Sequence, residues 1–244
     1  MAIRVLVNGA KGRMGQLAVK AIEADPQFVL AGQGGRGDKL SSLIKDSEAQ
    51  VVVDFTQPQS VYKNSLAIIK AGARPVIGTT GLNLRQVKNI QDRCKKLKRG
   101  AVIAPNFSLG MVLLMKSARE FVKYFPQVEI IEMHHDRKKD CPSGTALLTA
   151  EILAAARSKA KPAPVKTQET VAGARGAQYL KIPIHAVRLP GLVAHEQLIF
   201  GGIGETVSLR HDTLDRQCFL RGLLLACKKV MKLQRLVYGL EELL

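Results

Sequence analysis

Two stretches of this chain concentrate groups able to do chemistry. The first is Glu132-Met133-His134-His135-Asp136-Arg137-Lys138-Lys139-Asp140-Cys141-Pro142-Ser143-Gly144-Thr145-Ala146. It places two histidines and two lysines just ahead of a Pro-Ser-Gly-Thr segment that reads as a helix start. The backbone N–H groups of Gly144 and Thr145 would have no partner inside that helix, so they form an anion site. A carboxylate docked there would lie beside a His and a Lys able to handle protons. Adjacent His134 and His135 at a strand end should point to opposite faces. Three consecutive residues, His134 to Asp136, cannot easily face one ion, so no metal site is expected.

The second stretch is Val5-Leu6-Val7-Asn8-Gly9-Ala10-Lys11-Gly12-Arg13-Met14-Gly15. It has the strand, loop and helix context of a dinucleotide fingerprint, with GxxGxxG rather than GxGxxG spacing. Gly9 is expected to make the tight turn, Gly12 to let the backbone approach a pyrophosphate, and Gly15 to let helix pack closely on strand. An ordinary glycine turn is the plainer alternative. An acid that reads the ribose of NAD should follow about 20 residues on. The second strand instead runs into Gln33-Gly34-Gly35-Arg36-Gly37, with no carboxylate before Asp38. Arg36, with Lys11 and Arg13 nearby, is placed to meet a 2′-phosphate, which favours NADPH over NADH. The plainer reading makes Arg36 a solvated loop cation.

These groups need elements to hold them. Up to about residue 104, apolar runs at Ile3–Val7, Phe28–Ala31, Val51–Phe55, Pro75–Gly78 and Ala101–Ala104 alternate with helix candidates Met14–Glu23, Ser60–Ala71 and Leu84–Leu97. Strands apolar on consecutive positions are covered on both faces, as in a parallel sheet. The expectation is an α/β fold with a Rossmann-like, doubly wound parallel sheet. After Ala104 the rhythm changes. A helix over Leu109 to about Phe125 would bury Leu109, Val112, Leu113, Phe121 and Phe125. A strand Val128–His134, a helix from Gly144 to about Lys159 and a long loop over 161–177 follow. Three strands, Ile182–Val187, Ala194–Phe200 and Thr206–Arg210, look antiparallel, and a last helix spans Arg216–Lys232. The expected division is residues 1–104 plus 216–244 as a dinucleotide-binding domain, with 105–215 as an inserted α+β domain.

Composition bounds the function classes. The 244 residues are 46% hydrophobic and 23% charged, ordinary for a globular chain and unlike a disordered or fibrous one. No apolar run reaches the roughly 18 residues that a membrane span needs, and the N-terminus lacks the features of a signal peptide. A cytoplasmic protein is expected. The net charge of +17 would suit a nucleic-acid binder. Aromatic content of 5%, the absence of Trp and basic residues spread along the whole chain speak against nucleic acid and for small anionic ligands. Cys94, Cys141, Cys218 and Cys227 show neither disulfide nor zinc spacing.

The chain resembles the dihydrodipicolinate reductase family. The resemblance is carried by GAKGRMG (9–15), VVDFTQP (52–58), VIGTTG (76–81), APNFSLG (104–110), EMHHDRKKDCPSGTA (132–146), RLPGLVAHEQLIFGGIGE (188–205) and RHDTLDRQCFLRG (210–222). These occur in family order over almost the whole chain. The resemblance implies NAD(P)H-dependent reduction of 4-hydroxy-tetrahydrodipicolinate, a small dicarboxylate, in the diaminopimelate route to lysine. By position, it implies that His134 is the proton donor and that Lys138 stabilises the anion or imine formed. It gives His135, Lys138, Gly144 and Thr145 to the substrate carboxylates. Gly9, Arg13, Met14 and Arg36 would surround the phosphates and adenosine of the cofactor, with Gly12 in the same loop. Gly78, Thr80, Asn106 and Phe107 would border the nicotinamide. A homotetramer formed through the inserted, substrate-binding domain is implied, with closure of the two domains during catalysis. Two departures stand out: Gly35 falls where dual-cofactor relatives have an acid, and Cys141 where many have Ala. A buried, inert Cys141 is expected. A catalytically silent dinucleotide sensor and a DNA-binding regulator are the competing classes, but the first has no reason to keep His134, Lys138 and PSGTA together. The second lacks a helix-turn-helix signature.

Overall fold

The computed structural model describes residues 1–157 and 167–244, which divide into two compact units, Met1–Leu109 with Arg216–Leu244, and Gly110–Asp215. The first unit runs β1 (Ile3–Asn8), α1 (Arg13–Ala24), β2 (Phe28–Gly34), α2 (Leu40–Asp46), β3 (Val51–Asp54), α3 (Pro58–Lys70), β4 (Arg74–Ile77), α4 (Leu84–Lys96) and β5 (Ala101–Ile103). The second holds α5 (Leu109–Tyr124), β6 (Gln127–His134), α6 (Gly144–Ala156), β7 (Ala177–Tyr179), β8 (Ile182–Arg188), β9 (Ala194–Gly202) and β10 (Glu205–Thr213). The chain then returns to the first unit through α7 (Leu220–Lys229) and β11 (Leu236–Tyr238).

In the first unit the sheet order is β11-β5-β4-β3-β1-β2, parallel throughout. Val5, Leu6 and Val7, and likewise Val51, Val52 and Val53, are fully buried, because helices cover both faces. Local chemistry starts the helices. Pro58 takes the first turn of α3. Asn83 and Gln86 form a reciprocal capping box on α4, with bonds of 2.9 and 3.0 Å. Order β3-β1-β2 on one side and β4-β5 on the other puts the strand reversal beside β1, where α/β sheets open a crevice at the carboxyl ends of their strands.

The second unit packs α5 and α6 on one face of a five-stranded sheet, β10-β9-β6-β8-β7. Alternation follows: Val128, Ile130 and Glu132 of β6 and Glu196, Leu198 and Phe200 of β9 are buried, while their neighbours are half-buried.

Several expectations are corrected. β8, β9 and β10 alternate in direction as expected, but β8 does not pair with β9: β6 lies between the two, parallel to β8 and antiparallel to β9. The connection through α6 supplies the crossover that a parallel pair needs. The buried stripe of α5 is Met111, Val112, Leu114, Met115, Ala118 and Val122, with Leu113 50% exposed. The run LGMVLLM is apolar all round, so periodicity left the inward face ambiguous. The last helix is shorter than 216–232 and carries a 3-10 turn at each end. Helix α2 and the short strands β7 and β11 were not anticipated. Ser158 and Lys159, and residues 161–166 of the expected loop, lie outside the described residues.

Candidate active-site loop and dinucleotide cleft

The end of β6 and the start of α6 are joined through one side chain. Glu132 is fully buried at the end of β6, two residues before His134, so both side chains lie on the helix-covered face. Its Oε2 lies 2.7 Å from Nδ1 of His134 and accepts from Arg188 Nη1 at 2.8 Å. Its Oε1 accepts from Arg188 Nη2 at 2.7 Å and from the Ser143 N–H at 3.0 Å. Burial alone would push this carboxyl up, but the hydrogen bonds from His134 and Arg188, the Arg188 charge and the Ser143 N–H outweigh it and hold it at about 2. A carboxylate only accepts, so the shared proton sits on His134 Nδ1 and the remaining ring atom is Nε2.

Ser143 is the N-cap of α6, its Oγ accepting from the Ala146 N–H at 3.1 Å. Gly144 is exposed with open space where a Cβ would stand, and Thr145 is half-buried. Lys138 donates to both carboxylate oxygens of Asp140 at 2.8 Å. The carboxyl of Asp140 lies below its ordinary range, first through Lys138 and in smaller part through the Gly144 N–H. Two groups expected to hold a substrate carboxylate therefore face a carboxylate of the protein itself. His135 is half-buried, with its Nδ1 buried and without a hydrogen-bond partner. Cys141 is exposed, against the expectation of a buried thiol, because it lies in the loop between the end of β6 and the start of α6. Among the described residues no group of three His, Cys, Asp or Glu could hold a metal.

In the first unit, a cleft of about 860 Å³ is lined by Gly9, Lys11, Gly12, Gly35 and Arg36, among others. Gly9 has φ +89°, and a Cβ there would strike the backbone of Phe55. A Cβ on Gly15 would overlap the Gly9 carbonyl, so helix and turn touch as expected. Gly12 caps α1 without a side-chain bond, leaving its first N–H groups to an outside acceptor. Arg13 and Met14 open α1 but are not among the cleft's lining residues. Lys39 and Lys63 are, and with Lys11 and Arg36 they give the cleft four exposed cations. Bare helix N–H groups, a glycine turn and clustered cations fit a phosphate-rich dinucleotide. Asp38 also lines the cleft, its Oδ2 accepting from the Gly35 N–H at 2.8 Å.

Gly78 lies beneath Phe55 and Phe107, whose rings meet edge to face at 5.8 Å; a Cβ there would enter the Phe55 ring. Asn106 folds the next turn by accepting from the Ser108 N–H at 2.8 Å, and Thr80 is exposed. Buried Asp54 ties these loops together. Its carboxylate accepts from Asn8, Thr56, Asn64 and Thr79 at 2.7–3.1 Å. Reasoning from sequence did not single out Asp54, Phe55, Lys39, Lys63, Glu132, Asp140 or Arg188 as site residues. Glu132 and Asp140 stand inside the motif that was quoted, whereas Arg188 is 56 residues from its partner and gives no local signal.

Comparison with known proteins agrees with this geometry. The family model for the N-terminus of dihydrodipicolinate reductase matches residues 3–107, and that for its C-terminus matches residues 110–244. The chain belongs to the dihydrodipicolinate reductase family. Residues 3–107 therefore form a pyridine-nucleotide-binding domain. The 4-hydroxy-tetrahydrodipicolinate reductase of Coxiella burnetii (strain RSA 493 / Nine Mile phase I) is 51% identical over 244 residues, and that of Legionella pneumophila (strain Lens) 52% over 245, each match covering both chains completely. The solved structure of dipicolinate-bound dihydrodipicolinate reductase from Paenisporosarcina sp. TG-14 superposes with a TM-score of 0.93 at 41% identity, again over 100% of both chains. No helix among the described residues is long and apolar enough to cross a membrane.

Proposed function

We propose that this chain is an NAD(P)H-dependent oxidoreductase that reduces 4-hydroxy-tetrahydrodipicolinate to tetrahydrodipicolinate, a step of diaminopimelate and lysine biosynthesis. The observation that carries the reading is the junction at Glu132, which holds a proton-bearing histidine to the head of a helix with an open N-terminus, in a loop that also carries Lys138. Full-length identity of about half to reductases of that name supports the substrate.

Net reduction adds a hydride and a proton to neighbouring atoms and releases water. A bound reduced nicotinamide dinucleotide supplies the hydride. The protein does the rest. Lys138, His135 and the N–H groups of Gly144 and Thr145 hold the two carboxylates, pairing a dianion with cationic and helix-start donors. His134 gives its Nε2 proton, since Nδ1 is committed to Glu132. Lys138, as an ammonium, stabilises the anion or imine as charge develops. In the first unit Gly9, Gly12, Arg13 and Met14 address the dinucleotide's phosphates, and Gly78, Thr80, Asn106 and Phe107 border the nicotinamide. NADPH is the favoured cofactor because Arg36, Lys39 and Lys63 supply cations for a 2′-phosphate, while Asp38 is turned onto the Gly35 N–H. The same reading makes the protein a cytoplasmic homotetramer. Support for assembly comes from the face of the second sheet turned away from α5 and α6, which leaves Ile131, Met133, Val187 and Ile199 half-exposed.

A coupled assay with synthase-generated substrate, run with NADPH and NADH in parallel, tests activity and cofactor choice together. Turnover with a lower KM for NADPH is expected. Absence of turnover with either cofactor, in a protein that binds NADPH, would overturn the reading.

A further inference from the structure

Glu132 touches none of the reacting atoms in the chemistry described so far, yet its surroundings are unusual. It is fully buried, and every group within hydrogen-bond distance is a donor: Arg188 from β8 through two nitrogens, the Ser143 N–H from the head of α6, and His134 from its own strand. The other acid facing it is Glu196, directly opposite in the β6–β9 ladder. Thr149 of α6 lies 2.6 Å from that carboxyl, and burial pushes Glu196 up to about 7, so below neutral pH it brings no second charge. Beyond Arg188, the loop contributes the Asp140 carbonyl, which accepts from Nη2 at 2.8 Å, and Asp140 and Cys141 act electrostatically on the guanidinium.

We propose that Glu132 is a positioning residue for the proton transfer: it fixes His134 with its proton on Nδ1 and Nε2 as the reacting atom, and ties that ring to the carboxylate-binding start of α6. The proposal rests on the role given above to His134. In the step, the Nε2–H bond of the imidazolium breaks and a C–H bond forms at the substrate carbon beside the one that takes the hydride. The ring is left neutral, its Nδ1–H still donating to the Glu132 carboxylate, and water returns the Nε2 proton. A neutral ring protonated on Nε2 could not do this, because giving up that proton would leave an imidazolate. The Glu132 carboxylate thus selects the tautomer and supplies the counter-charge of the acid form.

Replacing Glu132 by Gln removes the charge at nearly constant shape. An amide NH2 in place of Oε1 faces only the donors of Arg188 and Ser143; in place of Oε2 it faces Arg188 Nη1 and finds its acceptor in a His134 Nδ1 that has lost its proton, which reverses the tautomer. Glu132→Gln is therefore expected to lower kcat by roughly ten- to a hundredfold, the worth of a charged hydrogen bond. The alkaline limb of its kcat/KM profile should move to lower pH, while the Kd for NADPH, bound by the other unit, stays unchanged. A merely structural Glu132 would lower the melting temperature and leave that limb in place, and this result would overturn the proposal.

Because removing one partner of a buried ion pair can unfold a protein, a second measurement uses the wild-type chain. Long-range 1H–15N spectra of 15N-histidine-labelled protein, with His134 assigned by its loss in His134→Gln, should show Nδ1 protonated when the ring is neutral. A neutral ring with bare Nδ1 would overturn the proposal whatever the variant does. Wild-type turnover in His134→Gln would instead remove the role of His134 beneath it. A slow His134→Gln beside a folded Glu132→Gln with the wild-type pH profile would refute the positioning role alone.

Discussion

In the proposed site, Asp140 occupies the ground assigned to a substrate carboxylate. Its two oxygens each take a hydrogen bond from Lys138 at 2.8 Å, and the Gly144 N–H also stabilises its charge. Binding a dicarboxylate at these groups must first displace Asp140. With the Asp140 side chain 58% exposed and that of Lys138 22%, the ion pair is near the surface, where such pairs contribute about 0–1 kcal/mol. Asp140→Asn removes the competing charge, while the Asp140 backbone carbonyl keeps its bond from Arg188 and so keeps the loop anchored. The expected effect is a dicarboxylate Kd lower by up to roughly fivefold, the equivalent of about 1 kcal/mol. Titration calorimetry with dipicolinate, in the presence of NADPH and at two salt concentrations, measures it, and the gain should shrink as salt screens Lys138. Unchanged or weaker binding in Asp140→Asn would refute the idea that Asp140 competes and would make it part of the substrate site.

Arg36→Ala should raise the KM for NADPH by about tenfold and leave that for NADH nearly unchanged, the smaller end of a charged hydrogen bond because Arg36 is exposed and Lys39 and Lys63 share the cleft; equal losses would deny it the 2′-phosphate. Glu196, normally at 4.5, titrates at about 7 in the folded protein, so the native state holds a proton that the unfolded chain releases. Its contribution to stability is full below about 4.5 and is lost as pH rises towards 7, by about 3 kcal/mol. Glu196→Gln should flatten that loss in denaturant melts at pH 5 and pH 8, and an unaltered slope would contradict the assignment. Iodoacetamide should alkylate exposed Cys141 well before Cys94 and Cys227, whose thiols burial pushes up to about 11 and 12; peptide mass spectrometry showing equal rates would refute this.

The parallel sheet was legible because Val51, Val52 and Val53, like Val5 to Val7, are apolar on successive positions, which only a strand covered on both faces tolerates. Gly9 and Gly15 were legible because their turn and close packing admit no Cβ. Partnership between distant segments was not. The parallel pairing of β8 with β6 depends on which strand fills the gap beside β6, and three consecutive β-rich runs carry no sign of it. Nor did α5, apolar on every side at its start, declare which face turns inward. At the site, the histidine, the lysine and the helix start could be read from their spacing in 132–146. What makes them one unit, Glu132 with Arg188, depends on β6 and β8 lying side by side. Cys141 was misjudged because it was read as filling the place of a small apolar Ala, whereas the loop itself stands in solvent.

The most direct measurement is the turnover of His134→Gln on enzymically generated 4-hydroxy-tetrahydrodipicolinate, with the Kd for NADPH determined on the same protein. The dinucleotide cleft lies in the other unit and contains no part of His134, so NADPH should bind as in the wild type. Turnover should fall by about 100- to 10,000-fold, the usual worth of a general acid. A folded His134→Gln that turns over near the wild-type rate would contradict the account.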